Sequence, residues 1–216
     1  MKRIGALIGL ACLATGVHAD ENQFAGFYAG VNAGMVQGGF TSTEYSGPWD
    51  YGEYSATSSL EMTYGVQGGY NFAVGSAGII GIELAYSMPD IDEERYFDDG
   101  DYVNSAEWNA ETALRFKGGI AVDNVLLYAT AGIVKQDVDF VFGEPTDPSD
   151  YVAKTVKNQG LSYGAGVEVA ISDLLSVRGE YLTNNSQSEE IADFDGDTGE
   201  FHADSSSFTI GLNAHF

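Results

Sequence analysis

Along most of this chain the side-chain character flips at every residue, and one of the two resulting faces carries almost no charge. The last nine residues are the clearest case. Phe208, Ile210, Leu212, Ala214 and Phe216 fall on one side of an extended strand, with Thr209, Gly211, Asn213 and His215 on the other. The same period recurs upstream through Phe27, Val31 and Met35, then Tyr64, Val66, Tyr70 and Phe72, then Ile80, Ile82, Leu84, Tyr86 and Met88. It continues through Leu114, Phe116 and Ile120, then Leu127 and Ile133, then Tyr163, Val167, Val169 and Ile171, then Val177 and Tyr181. Lys135 is the only charge on this face. A charge at a bilayer midplane costs about 2–4 kcal/mol and falls towards zero at the interface, so Lys135 is expected at a rim.

The opposite face is polar and glycine-rich: Asn32, Gln67, Asn71, Glu83, Glu111, Arg115, Lys117, Thr130, Gln136, Glu168, Arg178, Glu180, Asn213 and His215. A one-residue slip of any strand would send its polar set to the apolar side, so register is strongly fixed. A soluble ligand-binding barrel has its apolar side chains inside and its polar ones outside. Here the arrangement is inverted, which calls for a hydrocarbon exterior.

Eight strands are predicted at roughly 25–36, 61–72, 79–88, 109–121, 126–138, 160–171, 175–183 and 206–216. Their connections alternate. Short ones lie near Ala73–Gly78, Val122–Val125 and Ser172–Leu174, and long ones span 37–60, 89–108, 139–159 and 184–205. The predicted fold is all-β: an eight-stranded antiparallel transmembrane up-and-down β-barrel with short periplasmic turns and long extracellular loops.

The N-terminus fits export. Met1-Lys2-Arg3 is basic, Ile4 to Ala14 form a short apolar core, and Val17-His18-Ala19 makes a cleavage site. Residues 1–19 are read as a signal peptide and 20–216 as the barrel domain, with a rival reading in which Cys12 is acylated. Without that segment the chain has no cysteine, and seven basic residues face 32 acidic ones. So acidic a chain does not bind nucleic acid through phosphates. No stretch beyond the leader is long and apolar enough for a membrane helix, so any span uses strands.

The segments Gly26-Phe-Tyr-Ala-Gly-Val-Asn-Ala-Gly34, Gly68-Gly-Tyr-Asn-Phe72, Leu114-Arg-Phe-Lys-Gly-Gly119, Gly164-Ala-Gly-Val-Glu168 and Val177-Arg-Gly-Glu-Tyr181 resemble the eight-stranded outer-membrane β-barrel superfamily. That superfamily includes OmpA-like barrel domains and opacity-type surface proteins. The ending at Phe208, Ile210, Leu212 and Phe216 is similar to its C-terminal assembly signal, although Ala214 stands where Tyr is common. The resemblance implies the bacterial outer membrane as location. It also implies lipid and lipopolysaccharide as surroundings, the barrel-assembly machinery as a partner, and a monomer. A chain stopping at its eighth strand would lack the peptidoglycan-binding domain of full OmpA.

Three constellations could carry chemistry. The lumen cluster sets Glu83, Glu111, Glu168 and Glu180 against Arg115, Lys117 and Arg178. Counting from the short turn at 172–174, Glu168 and Arg178 are expected opposite one another and in contact. Such a cluster either packs an eight-stranded interior or forms a charge-selective constriction. The acidic loops contain a run similar to a calcium loop, with Asp193, Asp195, Asp197 and Asp204 as candidate ligands, but its glycine is one place late and no helices flank it. His202 near Asp204 and Ser205–Ser207 matches no nucleophile spacing, so no catalysis and no cofactor are expected. Tyr45, Trp49, Tyr51, Tyr54, Tyr96, Phe97 and Tyr102 give the loops a surface for a host or surface ligand. The expected role is envelope integrity or adhesion through acidic loops. The alternative is a narrow porin-like diffusion channel for small solutes.

Overall fold

The computed structural model describes residues 22–46, 49–90, 92–97, 102–143, 151–186, 189–192 and 198–216. They form eleven strand segments. These are β1 (Gly26–Ser46), β2 (Trp49–Thr57), β3 (Glu61–Val74), β4 (Gly78–Pro89), β5 (Asp92–Phe97), β6 (Tyr102–Val122), β7 (Val125–Gly143), β8 (Tyr151–Ala170), β9 (Leu175–Ser186), β10 (Glu189–Ala192) and β11 (Thr198–His215). Eight of them close on themselves in the antiparallel order β1-β3-β4-β6-β7-β8-β9-β11, with β11 pairing back onto β1. The closing pair runs from Tyr28 opposite His215 to Tyr45 opposite Thr198.

The alternation is realised residue by residue. Phe27, Val31, Met35, Tyr64, Val66, Ile80, Leu84, Phe116, Leu127, Leu161, Ile210 and Phe216 are exposed, as a lipid-facing belt requires. Phe27, Tyr70 and Phe72 stack edge to face along this belt, with centroids 4.6 Å apart in each pair. The charged and amide side chains turn inward.

One end is tight. Gly75–Ala77, Asp123–Asn124 and Ile171–Leu174 are the turns there, as the sequence predicts. The two-residue turn needs a left-handed residue, and Asp123 supplies it at φ 52°.

The other end differs from expectation. Much of what the sequence marks as loop is strand. β1, β6, β7, β8 and β11 run far past the apolar belt, and β2, β5 and β10 pair with the extensions of β1, β6 and β11. β7 and β8 stay in register from Val125–Val169 to Gly143–Tyr151. The extensions carry no sustained apolar/polar alternation in the sequence to reveal them. Their β-branched and aromatic content, as in Val138-Asp-Phe-Val-Phe142, is the only sequence sign.

Candidate functional site

The lumen is where this sequence concentrates buried charge. Glu83 comes from β4, Arg115 and Lys117 from β6, Glu168 from β8, and Arg178 and Glu180 from β9; each is at most 3% exposed. Three carboxylates thus meet three cations. Glycines on neighbouring strands make the room. A Cβ at Gly166 would lie 2.5 Å from the Tyr128 ring, and one at Gly211 would lie 3.1 Å from Arg178 Cγ.

Glu83 is the hub. Its carboxylate accepts from Arg178 Nη1 at 2.5 Å and from the Tyr28 hydroxyl at 2.8 Å. It is ion-paired with Arg115 Nη2 at 3.1 Å and with Lys117 Nζ at 3.8 Å. Glu180 accepts from Arg178 Nη2 at 3.1 Å and from the Tyr128 hydroxyl at 2.9 Å, with Arg115 Nη1 3.6 Å away. Lys117 Nζ sits between the Tyr28 and Tyr128 rings, 4.6 and 4.5 Å from their centroids. Isolated charges at this depth would be costly, and the network compensates by giving Glu83, Glu180, Arg115, Lys117 and Arg178 at least two opposite partners each.

Glu168 stands opposite Arg178 in register, as predicted. The expected contact between them is not formed: among the described residues Glu168 has no ion pair with Arg178. The guanidinium reaches across the lumen to Glu83, while Glu168 accepts from Asn213 Nδ2 at 2.9 Å and from the Ser176 hydroxyl. Lys117 Nζ is 3.8 Å and His215 Nε2 3.1 Å from it. Register fixes backbone neighbours, whereas a long side chain inside a narrow barrel chooses among strands on the far wall.

Glu111 faces the cluster across a cavity also lined by Arg115, Arg178 and Glu180, without joining its ion pairs. It has no ion pair among the described residues and accepts instead from Asn184 Nδ2 at 2.7 Å. This cavity of about 30 Å³ lies on the loop side of the arginines, with Asn32, Thr63, Gln136 and Ser205 also lining it. A space of that size holds about one or two waters.

The turn side is closed by a group the sequence did not single out. Phe24, just before β1, is fully buried and packs with Ile79, Leu126 and Tyr128. Tyr28, Tyr128 and Ser176 were also missed. Period two puts them on the lumen side, but two aromatics and a serine carry no charge to draw notice.

The remaining candidates are dispersed. Phe208, Ile210 and Leu212 face outward on β11, and Phe216 is exposed just past its end. Asp193, Asp195 and Asp197 lie outside the described residues, as does the leader with Cys12; Asp204 contacts His202 at 3.0 Å. The aromatics expected in loops fall instead on β2, β5 and the β1 and β6 extensions. Ser176, His215 and Glu168 meet inside the barrel, but His215 Nε2 faces both partners. A relay that activates a serine needs the two ring nitrogens to serve different partners, and among the described residues His215 Nδ1 has no hydrogen-bond partner.

A family model described as outer membrane protein beta-barrel domain matches residues 5–216. The 22 kDa outer membrane protein of Rhizobium leguminosarum bv. viciae is 31% identical over 179 residues, covering 79% of this chain and 74% of that protein. The 31 kDa outer-membrane immunogenic protein of Brucella melitensis is 26% identical over 212 residues, covering 94% and 88%. Among solved structures, the outer membrane protease OmpT of Escherichia coli superposes with a TM-score of 0.57 at 9% identity, covering 88% of this chain and 96% of that one. At such identity the likeness concerns the fold alone.

Proposed function

The chain belongs to the outer-membrane β-barrel family and resides in the bacterial outer membrane, and from that premise we propose that it is a sealed, non-enzymatic surface scaffold. Its role on this reading is envelope integrity or adhesion through the acidic extensions. The observation that carries it is the filled lumen, in which Arg178 and Arg115 bridge from their own strands to Glu83 and Glu180 while Phe24 covers the turn side. An eight-stranded interior is only wide enough to be packed by side chains. The Brucella relative's name, an immunogenic outer-membrane protein, supports surface exposure of the extensions.

The same proposal includes removal of residues 1–19 on export, a monomer, contact with lipopolysaccharide, and delivery of the stripe ending at Phe216 to the barrel-assembly machinery. It assigns no catalytic role to Ser176, His215 or His202. The lumen cluster acts as packing rather than as a selectivity filter.

Planar-bilayer recording on refolded protein tests the sealed lumen. The expected result is no unitary conductance in the wild type or in Glu83→Gln. Stable, charge-selective steps altered by Glu83→Gln would establish the narrow diffusion channel instead. Surface attachment of cells is expected to fall when 92–107 and 189–204 are deleted together, provided the barrel still inserts.

A further inference from the structure

One pairing in this barrel has no turn to hold it. β1 and β11 lie at opposite ends of the chain, whereas every other neighbouring pair in the wall is consecutive in sequence or separated only by β2, β5 or β10. Bringing such distant ends together carries the largest loop-closure cost, so this pairing depends on contacts alone. The segment just before β1 is built to reach across it. Asn22 forms the turn, its carbonyl accepting from Ala25 N at 2.9 Å and its side chain from Phe24 N at 3.1 Å. Gly26 then redirects the chain into β1 at φ +106°, with the Phe216 carbonyl 2.7 Å from where a Cβ would stand.

Phe24 is carried by this turn under the barrel. Its ring meets His215 of β11 edge to face at 6.2 Å and packs on Ile79 of β4 and on Leu126 and Tyr128 of β7. Its carbonyl accepts from Asn71 Nδ2 of β3 at 2.8 Å, and Gln23 Nε2 donates to the Asp123 carbonyl at 2.9 Å. The start of β1 is therefore fastened to its partner across the seam and to the far wall at once.

We propose that the Asn22–Gly26 turn is a clasp that holds the β1–β11 seam shut from inside the lumen. Seam opening would pull Phe24 out of its site. A Phe24 that merely fills the floor would instead stabilise all pairings alike.

The test uses the mature, refolded protein in phospholipid vesicles, with unfolding followed by loss of the compact band on unheated gels. Phe24→Ala is expected to unfold roughly tenfold faster or more, because a buried contact absent from the transition state acts on the unfolding rate. Gly26→Ala is expected to act in the same direction. The deciding arm is a disulfide across the seam, Ala33→Cys with Ile210→Cys, neighbours on the lipid face. Once oxidised, it should remove most of the effect of Phe24→Ala. A control disulfide between β6 and β7, Leu114→Cys with Ile133→Cys, should leave that effect intact. Equal effects in the two backgrounds, or no effect of Phe24→Ala in either, would overturn the clasp. If Phe24→Ala does not fold, Phe24→Leu in the same two backgrounds gives the same comparison.

Discussion

Arg178 is the side chain on which the lumen network most depends, and replacing it with methionine gives the most demanding test of that network. Its guanidinium is 1% exposed and makes two charge-assisted hydrogen bonds, to Glu83 and Glu180. Each such bond is worth about 1.5–3 kcal/mol net, so losing both gives about 3–6 kcal/mol. Methionine restores some packing, and Glu83 keeps Arg115 and Lys117. Glu180 is left worse off, with Arg115 at 3.6 Å and the Tyr128 hydroxyl. The expected loss is therefore about 3–5 kcal/mol, the usual range for stranding a buried charge. At a urea dependence of about 2 kcal/mol per molar, the unfolding midpoint should fall by about 2 M. Urea titrations of the refolded protein in vesicles, read by circular dichroism and gel mobility, measure it. Adding Glu180→Gln to Arg178→Met should recover part of the loss, since the stranded charge is gone. Arg115→Met should cost less, because among the described residues Arg115 Nε and Nη1 have no hydrogen-bond acceptor. A loss under about 1 kcal/mol for Arg178→Met, or a double variant no more stable than the single, would refute the stranded-charge reasoning.

Four further outcomes are expected. Gly132→Ala should destabilise by about 1–3 kcal/mol, since its Cβ would run into the Leu114 carbonyl and the Arg115 backbone. Gly118→Ala, on the lipid face with nothing within 4 Å, should be neutral in the same titration. Leu212→Arg, in the middle of the last apolar stripe, should cost about 2–4 kcal/mol and lower the yield of folded barrel. In the β7–β8 extension, bonds from Thr155 and Asn109 hold the Asp139 carboxyl below its ordinary range. A lowered value in the folded state means this support is present above the ordinary aspartate range and lost as pH falls through the lowered one. Hydrogen-exchange protection at the Asp139–Thr155 pairing, taken relative to the intrinsic rate at each pH, should therefore fall in acid for the wild type, and Asp139→Ala should abolish that dependence.

How much of this was legible in the sequence depends on what each residue faces. Where one side meets hydrocarbon and the other a packed lumen, both faces constrain side-chain type. The strands, their register and the inward set from Asn32 to His215 could be read for that reason. Beyond the belt the constraint vanishes, and the sequence pattern reads as loop where the structure has strand, at 37–46, 49–57, 92–97, 102–108, 139–143, 151–159 and 198–205. The Glu168–Arg178 opposition was readable because a short turn counts out the register, whereas the partner Arg178 chose was not. That choice depends on strand tilt and on the span between β9 and β4, which local spacing does not encode. Phe24 escaped notice because a single aromatic ahead of the first strand has no period to belong to.

The ladder between β7 and β8 extends over 19 residues of β7, about 60 Å at strand rise. A tilted membrane strand needs only about 9–11 residues. The remainder stands clear of the bilayer as hydrogen-bonded sheet, and so it works as a stiff mast rather than a tether. A tether must surrender its conformational freedom each time a partner docks. A mast gave most of that freedom up when the barrel folded, so a partner meeting this surface faces a smaller entropic penalty. Tight engagement would then need only a small footprint, and trimming the mast would weaken it by removing reach before removing any contact.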